Sequence, residues 1–204
     1  MVANKSAQTH RKEKTSSATI DSGRREIIVW DRLVRCFHWS LATTFFLNYF
    51  ITEEGEAIHE WIGYTAISLI CIRLIWGFIG NKNARFVNFL PSKLSIKHHI
   101  EELREGKLDP TAGHSPVGAL MIFTLLGLIA CLGVTGYMME NIDLFWGEEW
   151  LEDLHELIAH VTLIAVATHI SAIFILQKWT GTELIRPMLS GKRRLEPLQD
   201  QRNS

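Results

Sequence analysis

An all-α membrane protein is the fold class that this 204-residue sequence predicts: four spanning helices in an up-down bundle, with both chain ends cytoplasmic. Three observations carry that expectation. Apolar stretches at 34–51, 58–79, 116–138 and 154–177 approach or reach the length that crosses a hydrocarbon layer about 30 Å thick. Two short connections and one long one suit antiparallel neighbours. Basic and acidic residues also segregate between alternate connections. Bulk numbers alone, 47% hydrophobic content and a net charge of -1, would fit one soluble domain.

Residues 1–26 are polar and lack an apolar core of signal-peptide length, so they read as a disordered cytoplasmic tail ahead of a domain over 27–190. The first span, 34–51, is interrupted by Arg35, His38 and Asn48, and needs tilt or a thinned bilayer. The connection after it contains Glu53, Glu54 and Glu56 and no Lys or Arg. The second span, 58–79, includes Arg73. A basic connection follows, in which 92–107 places Leu94, Ile96, Ile100 and Leu103 loosely on one helical face among Lys93, Lys97, Arg104 and Lys107. That amphipathic segment either lies on the anionic inner leaflet or is a solvated connector.

Ser115 and Pro116 open the third span as an N-cap and first-turn pair. Glu140, Asp143, Glu148, Glu149, Glu152 and Asp153, again without a basic residue, separate it from the fourth. Residues 191–204 read as a second cytoplasmic tail. By the positive-inside rule, both termini and the long connection are cytoplasmic, and the two acidic connections face outward.

Cys36, Cys71 and Cys131 fall in different spans, and none belongs to a C-x-x-C pattern. This argues against covalently attached c-type haem, an iron–sulfur cluster and a structural disulfide, and leaves them as small packing residues.

Ionisable side chains inside a membrane segment are costly and usually mark function. His155 and His169 are fourteen residues apart in the fourth span, which in a helix sets them about 40° apart in direction and about 21 Å apart along the axis. His155 is then near the outer face and His169 near the inner one. His59 opens the second span from outside, and His38 lies about one turn inside the cytoplasmic start of the first. Depth therefore pairs His59 with His155, and His38 with His169. Two imidazoles facing across a bundle suit the axial positions of non-covalent b-type haem iron. Small residues on the same stripes, Ala159, Thr162, Ala165, Ala172, Gly63 and Ala66, leave room for a flat ring, but such residues also line ordinary helix contacts in membranes.

Arg73 is fourteen residues after His59, at the inner depth. It either holds a haem propionate or snorkels past Trp76 to the interface. His160 follows His155 by five residues, about 140° away around the helix, so the pair has no zinc-protease spacing and His160 is off the stripe. His10, His98 and His99 read as surface residues. His114 is a candidate for handling a quinol proton, although a role at the start of the third span is the simpler reading.

Val29-Trp30-Asp31-Arg32-Leu33-Val34-Arg35-Cys36-Phe37-His38-Trp39 resembles the opening motif of the bacterial cytochrome b561 and nickel-iron hydrogenase cytochrome b family. His59-Glu60-Trp61-Ile62-Gly63-Tyr64 and Arg73-Leu74-Ile75-Trp76-Gly77-Phe78 are similar to its second helix. Gly113-His114-Ser115-Pro116-Val117-Gly118 is similar to the start of its third, and Leu154-His155-Glu156 with Thr168-His169 to its fourth. The resemblance spans about 28–194.

The resemblance implies that His38, His59, His155 and His169 ligate two b haems, one near each membrane face, in a multi-pass protein of the bacterial inner membrane. It further implies electron transfer in a respiratory chain, between the quinone pool and a separate periplasmic c-type cytochrome or hydrogenase. Membrane lipid is a further expected partner, and nucleic acid is not. The exposed acidic connections could steer a basic partner or simply be half of the topology signal. A metal or proton transporter would be expected to add mid-membrane carboxylates, which the last three spans lack. A non-redox anchor of an oxidoreductase complex would need no histidine stripe.

Overall fold

The computed structural model describes residues 25–81, 84–88, 90, 92–104 and 115–195. Strand β1 (Arg25–Ile28) leads into α1 (Arg32–Phe50), α2 (Ala57–Ile79), α3 (Lys93–Arg104), α4 (Pro116–Asn141) and α5 (Glu149–Thr180). A short α6 (Ile185–Ser190) and strand β2 (Lys192–Leu195) follow. The four expected spans fall on α1, α2, α4 and α5, and the amphipathic segment on α3. Asp31 starts α1 by accepting the Val34 N–H at 2.7 Å. Ser115 starts α4 as its N-cap with Pro116 in the first turn, accepting the Gly118 N–H at 3.0 Å.

Helix α5 is longer than its apolar stretch. It begins at Glu149, because Glu149 and Glu152 in its first turn favour the positive end of the helix dipole. It runs to Thr180, where Gly181 at φ +68° supplies a left-handed C-cap. Among the described residues, α2, α4 and α5 are long and apolar enough to cross a membrane. Helix α1 is not among them, since Arg32, Arg35, His38 and Asn48 lower the hydropathy of its 19 residues.

Helix α1 packs on α2, α2 on α4, and α4 on α5, while α3 rests against α4. Leu41, Ile70, Leu126, Ile129 and Phe86 form the buried core between α1, α2 and α4. Elsewhere large apolar residues stay uncovered, among them Phe46, Ile75, Phe78, Val134, Ile164 and Phe174. Apolar surface of that extent calls for a covering other than water. The cysteines depart from expectation: Cys36, Cys71 and Cys131 are free and exposed rather than packed in the core, because each falls on an outer helix face.

The two ends of the described segment meet. Strands β1 and β2 pair antiparallel with Arg25 opposite Leu195 and Ile28 opposite Lys192. Glu26 lies 3.1 Å from Arg186, 3.3 Å from Lys192 and 3.8 Å from Arg194. The Arg35 guanidinium donates to the Leu189 carbonyl at 2.6 Å and the Trp39 indole to that of Met188 at 3.2 Å, fastening α6 to α1. Residues 25–26 and 192–195, expected to belong to disordered tails, are therefore structured. Each strand finds its ladder partner at the opposite end of the chain, which local composition does not display. The remainder of both tails lies outside the described residues.

Candidate functional site

His59 lies in the first turn of α2 and His155 in the second turn of α5, at the same end of the bundle. Their ring centroids are 6.4 Å apart, with planes inclined at 60°. His59 Nδ1 is 3.1 Å from the Thr52 hydroxyl, and the Asn48 amide donates to the His59 backbone carbonyl at 3.1 Å. These contacts tie the end of α1 to the start of α2. His155 Nδ1 is 2.7 Å from the hydroxyl of Thr135, a buried residue on α4. Sequence reading missed Thr52 and Thr135. A polar residue at the depth of each outer histidine was the available signal, but helix rotation had to be known to use it.

At the opposite end, His38 lies in the second turn of α1 and His169 well along α5. Both are half-buried and within electrostatic reach of each other. His38 packs edge-on against Trp39 at 5.2 Å, and its Nδ1 is buried without a hydrogen-bond partner among the described residues. Because α5 is unbroken between His155 and His169, the two layers are separated by about 21 Å along it. Thr162, midway, is fully buried and bonded to the Ile158 carbonyl, and Ile70 belongs to the packed core. The middle of the small-residue stripe is thus filled by packing.

Arg73 is 3% exposed, so it does not snorkel to open solvent. Its Nη2 donates to the Ala84 carbonyl at 3.1 Å, and its guanidinium sits 4.4 Å from the Phe86 ring centroid. Phe86 reaches this place because Gly77 has no side chain: a Cβ there would overlap the ring. Among the described residues Nη1 is buried and unpaired. The outcome is a cation held under the 84–88 segment with one donor left over.

His160 is exposed, bonded through Nδ1 to the Glu156 carbonyl at 2.9 Å, with Tyr49 of α1 edge-on at 5.9 Å. It takes no part in either histidine pair. His98 and His99 lie on α3, and His10 and His114 lie outside the described residues. Glu53, Glu54, Glu56, Glu148, Glu149 and Glu152 are all exposed around the His59 and His155 end.

Among the described residues, no three or more His, Cys, Asp or Glu are grouped to hold a metal ion. What α5 offers instead is one histidine at each of two levels, with a second imidazole near each. A b-type haem iron held by two histidines takes two axial nitrogens from the protein and its other four from the ring. With 6.4 Å between centroids, the His59 and His155 rings are close enough for one metal ion to lie between them. The paired imidazoles fit haem.

A sequence model described as prokaryotic cytochrome b561 matches residues 29–191. A probable Ni/Fe-hydrogenase B-type cytochrome subunit of Rhizobium leguminosarum bv. viciae is 22% identical over 223 aligned positions, covering 87% of this chain and 92% of that protein. No solved structure matches the chain significantly.

Proposed function

The chain belongs to the prokaryotic cytochrome b561 family, membrane b-type cytochromes of electron transfer, and on that premise we propose that it carries electrons across the bacterial inner membrane through two histidine-held haems. His59 and His155 hold the outer one, and His38 and His169 the inner one. The observation that carries this reading is the His59 and His155 ring pair at one end of α5, with His38 within electrostatic reach of His169 toward the other end of that continuous helix. Bound b-type haem supplies reversible one-electron iron chemistry.

Four crossings are part of the proposal. The β1–β2 pairing ties the start of α1 to the segment after α5, so the chain between them crosses an even number of times. Among the described residues three helices are long and apolar enough to cross, and in the proposal α1 makes the fourth. The segregated charges support both termini being cytoplasmic.

The protein's own residues do four things in this scheme. The histidines fix two stations on one helix, dividing the apolar barrier into short steps. The core around Leu41, Ile70 and Leu126 keeps water out between them. Arg73 keeps Nη1 available as a donor for an inner haem propionate. The acidic rim provides the docking field for a basic redox protein outside. A hydrogenase or c-type cytochrome is the proposed outer partner, the first suggested by the name of the Rhizobium relative. Membrane quinone is the other partner proposed.

The test is a reduced-minus-oxidised spectrum of full-length protein purified in detergent after haem-replete expression, with haem quantified. Two low-spin b haems per chain are expected. Absence of low-spin b bands overturns the reading.

A further inference from the structure

We propose that Thr52 and Thr135 are positioning residues that fix the tautomer of the two outer histidines, and that the outer haem is thereby held at a lower potential than it would otherwise have. This rests on the reading that these histidines ligate haem. A threonine hydroxyl has one proton and two lone pairs. The Thr135 hydroxyl lies 2.9 Å from the Cys131 carbonyl and 3.1 Å from the Leu132 carbonyl, which can only accept, and 2.7 Å from His155 Nδ1. In the proposed arrangement its one proton goes to its own helix, so that it accepts from His155 Nδ1–H and leaves the imidazole lone pair on Nε2.

Thr52 repeats the arrangement on another helix end. Its hydroxyl donates to the Asn48 carbonyl at 3.2 Å and faces His59 Nδ1 at 3.1 Å. The Asn48 side-chain oxygen is also within 3.5 Å of that hydroxyl. The Asn48 amide, bonded to the His59 carbonyl, holds the two segments in register. Two threonines on different elements thus turn both outer imidazoles the same way, with Nδ1 toward the hydroxyl.

The physical consequence follows from what an Nδ1–H···O bond does to a ligand. It fixes ring orientation and raises the basicity of the opposite nitrogen, which favours the more positively charged metal state. Among the described residues His38 has no such acceptor, since its Nδ1 is buried and unpartnered. The outer and inner sites consequently differ in second partners, although both are pairs of histidines.

The experiment compares wild type with Thr135→Val, Thr52→Val and Thr135→Ser in the full-length haem-loaded protein. Each of the two potentiometric components is followed. Both valine variants should raise the midpoint potential of the component that is missing in His155→Ala, leave the other unchanged, and show the largest effect at Thr135. Serine, which keeps the hydroxyl, should restore the wild-type value. Unchanged midpoints in both valine variants, equal shifts of both components, or no rescue by serine overturns the inference. Loss of the outer haem in Thr135→Val with retention in Thr135→Ser supports it, and loss in both overturns it. Nitrogen-15 NMR of histidine-labelled, haem-free protein reads the tautomer directly. The Nδ1–H form is expected at His155 and lost in Thr135→Val; its absence in wild type overturns the inference even if haem is bound. An Nδ1–H form in a wild type that binds no haem upholds the tautomer assignment while sinking the haem reading.

Discussion

Asp31 and Trp76 are joined across two helices by a hydrogen bond of 3.2 Å from the indole Nε1 to Asp31 Oδ2, while Asp31 Oδ1 caps α1 through the Val34 N–H. The Asn81 amide shares Oδ2 at 3.2 Å, and Arg73 acts on the same carboxylate electrostatically. One side chain thus fixes where α1 begins, where α2 ends and how the two meet.

Asp31→Ala should remove the cap and the interhelical bond together. A cap is worth about 1 kcal/mol and a net hydrogen bond about 1 kcal/mol, so a loss of about 2 kcal/mol is expected. Thermal unfolding in detergent checks it, with Asp31→Asn retaining part of the loss because its amide oxygen still caps. Equal stability of Asp31→Ala and wild type contradicts the hub.

Arg73→Leu should shift the midpoint potential of the inner haem several-fold more than that of the outer one. Arg73 is at the inner depth with Nη1 unpaired. Identical spectra and midpoints for both haems would remove the propionate role and leave Arg73 as the pin of the Ala84 and Phe86 segment.

The end cap should loosen in acid. The hydrogen bond from Lys192, with help from Arg186, holds the Glu26 carboxyl below its ordinary range. A depressed folded-state pKa gives stability that is present above the ordinary carboxylate value and lost as pH falls through the lowered one. Hydrogen exchange at the 192–195 amides should therefore accelerate below the ordinary carboxylate range, after correction for intrinsic rates, more than in Glu26→Gln. Identical pH profiles for the two proteins would contradict this linkage.

Electron exchange with a basic redox protein should slow about tenfold as ionic strength rises from low to physiological. Replacing Glu148, Glu149 and Glu152 with Gln should flatten that dependence. Stopped-flow rates across a salt series measure it. A rate indifferent to salt would leave the rim as a topology signal only.

The parts of this molecule that depend on one helix at a time were legible in the sequence. Apolar length located α2 and α4 to within a few residues, and the fourteen-residue step from His155 to His169 placed two levels on one helix. Helix α5 was read too short because hydrogen bonding continues through Glu149 and Glu152 where apolarity stops. Features that depend on how elements turn toward each other were not legible. Thr135 meets His155 only because α4 presents that face to α5, and Phe86 covers Arg73 only because Gly77 leaves space for a ring. The β1–β2 ladder joins segments from opposite ends of the chain, and four-residue strands carry too little periodicity to announce it.

The central claim is that α5 gives one axial ligand to each of two haems. Haem content and potentiometric spectra of His155→Ala and His169→Ala, each in the full-length protein, test it most directly. The account predicts that each variant retains one low-spin haem, the outer lost in His155→Ala and the inner in His169→Ala, so that the two residual spectra sum to that of wild type. If either variant kept both haems, or both variants lost the same one, the claim would be contradicted.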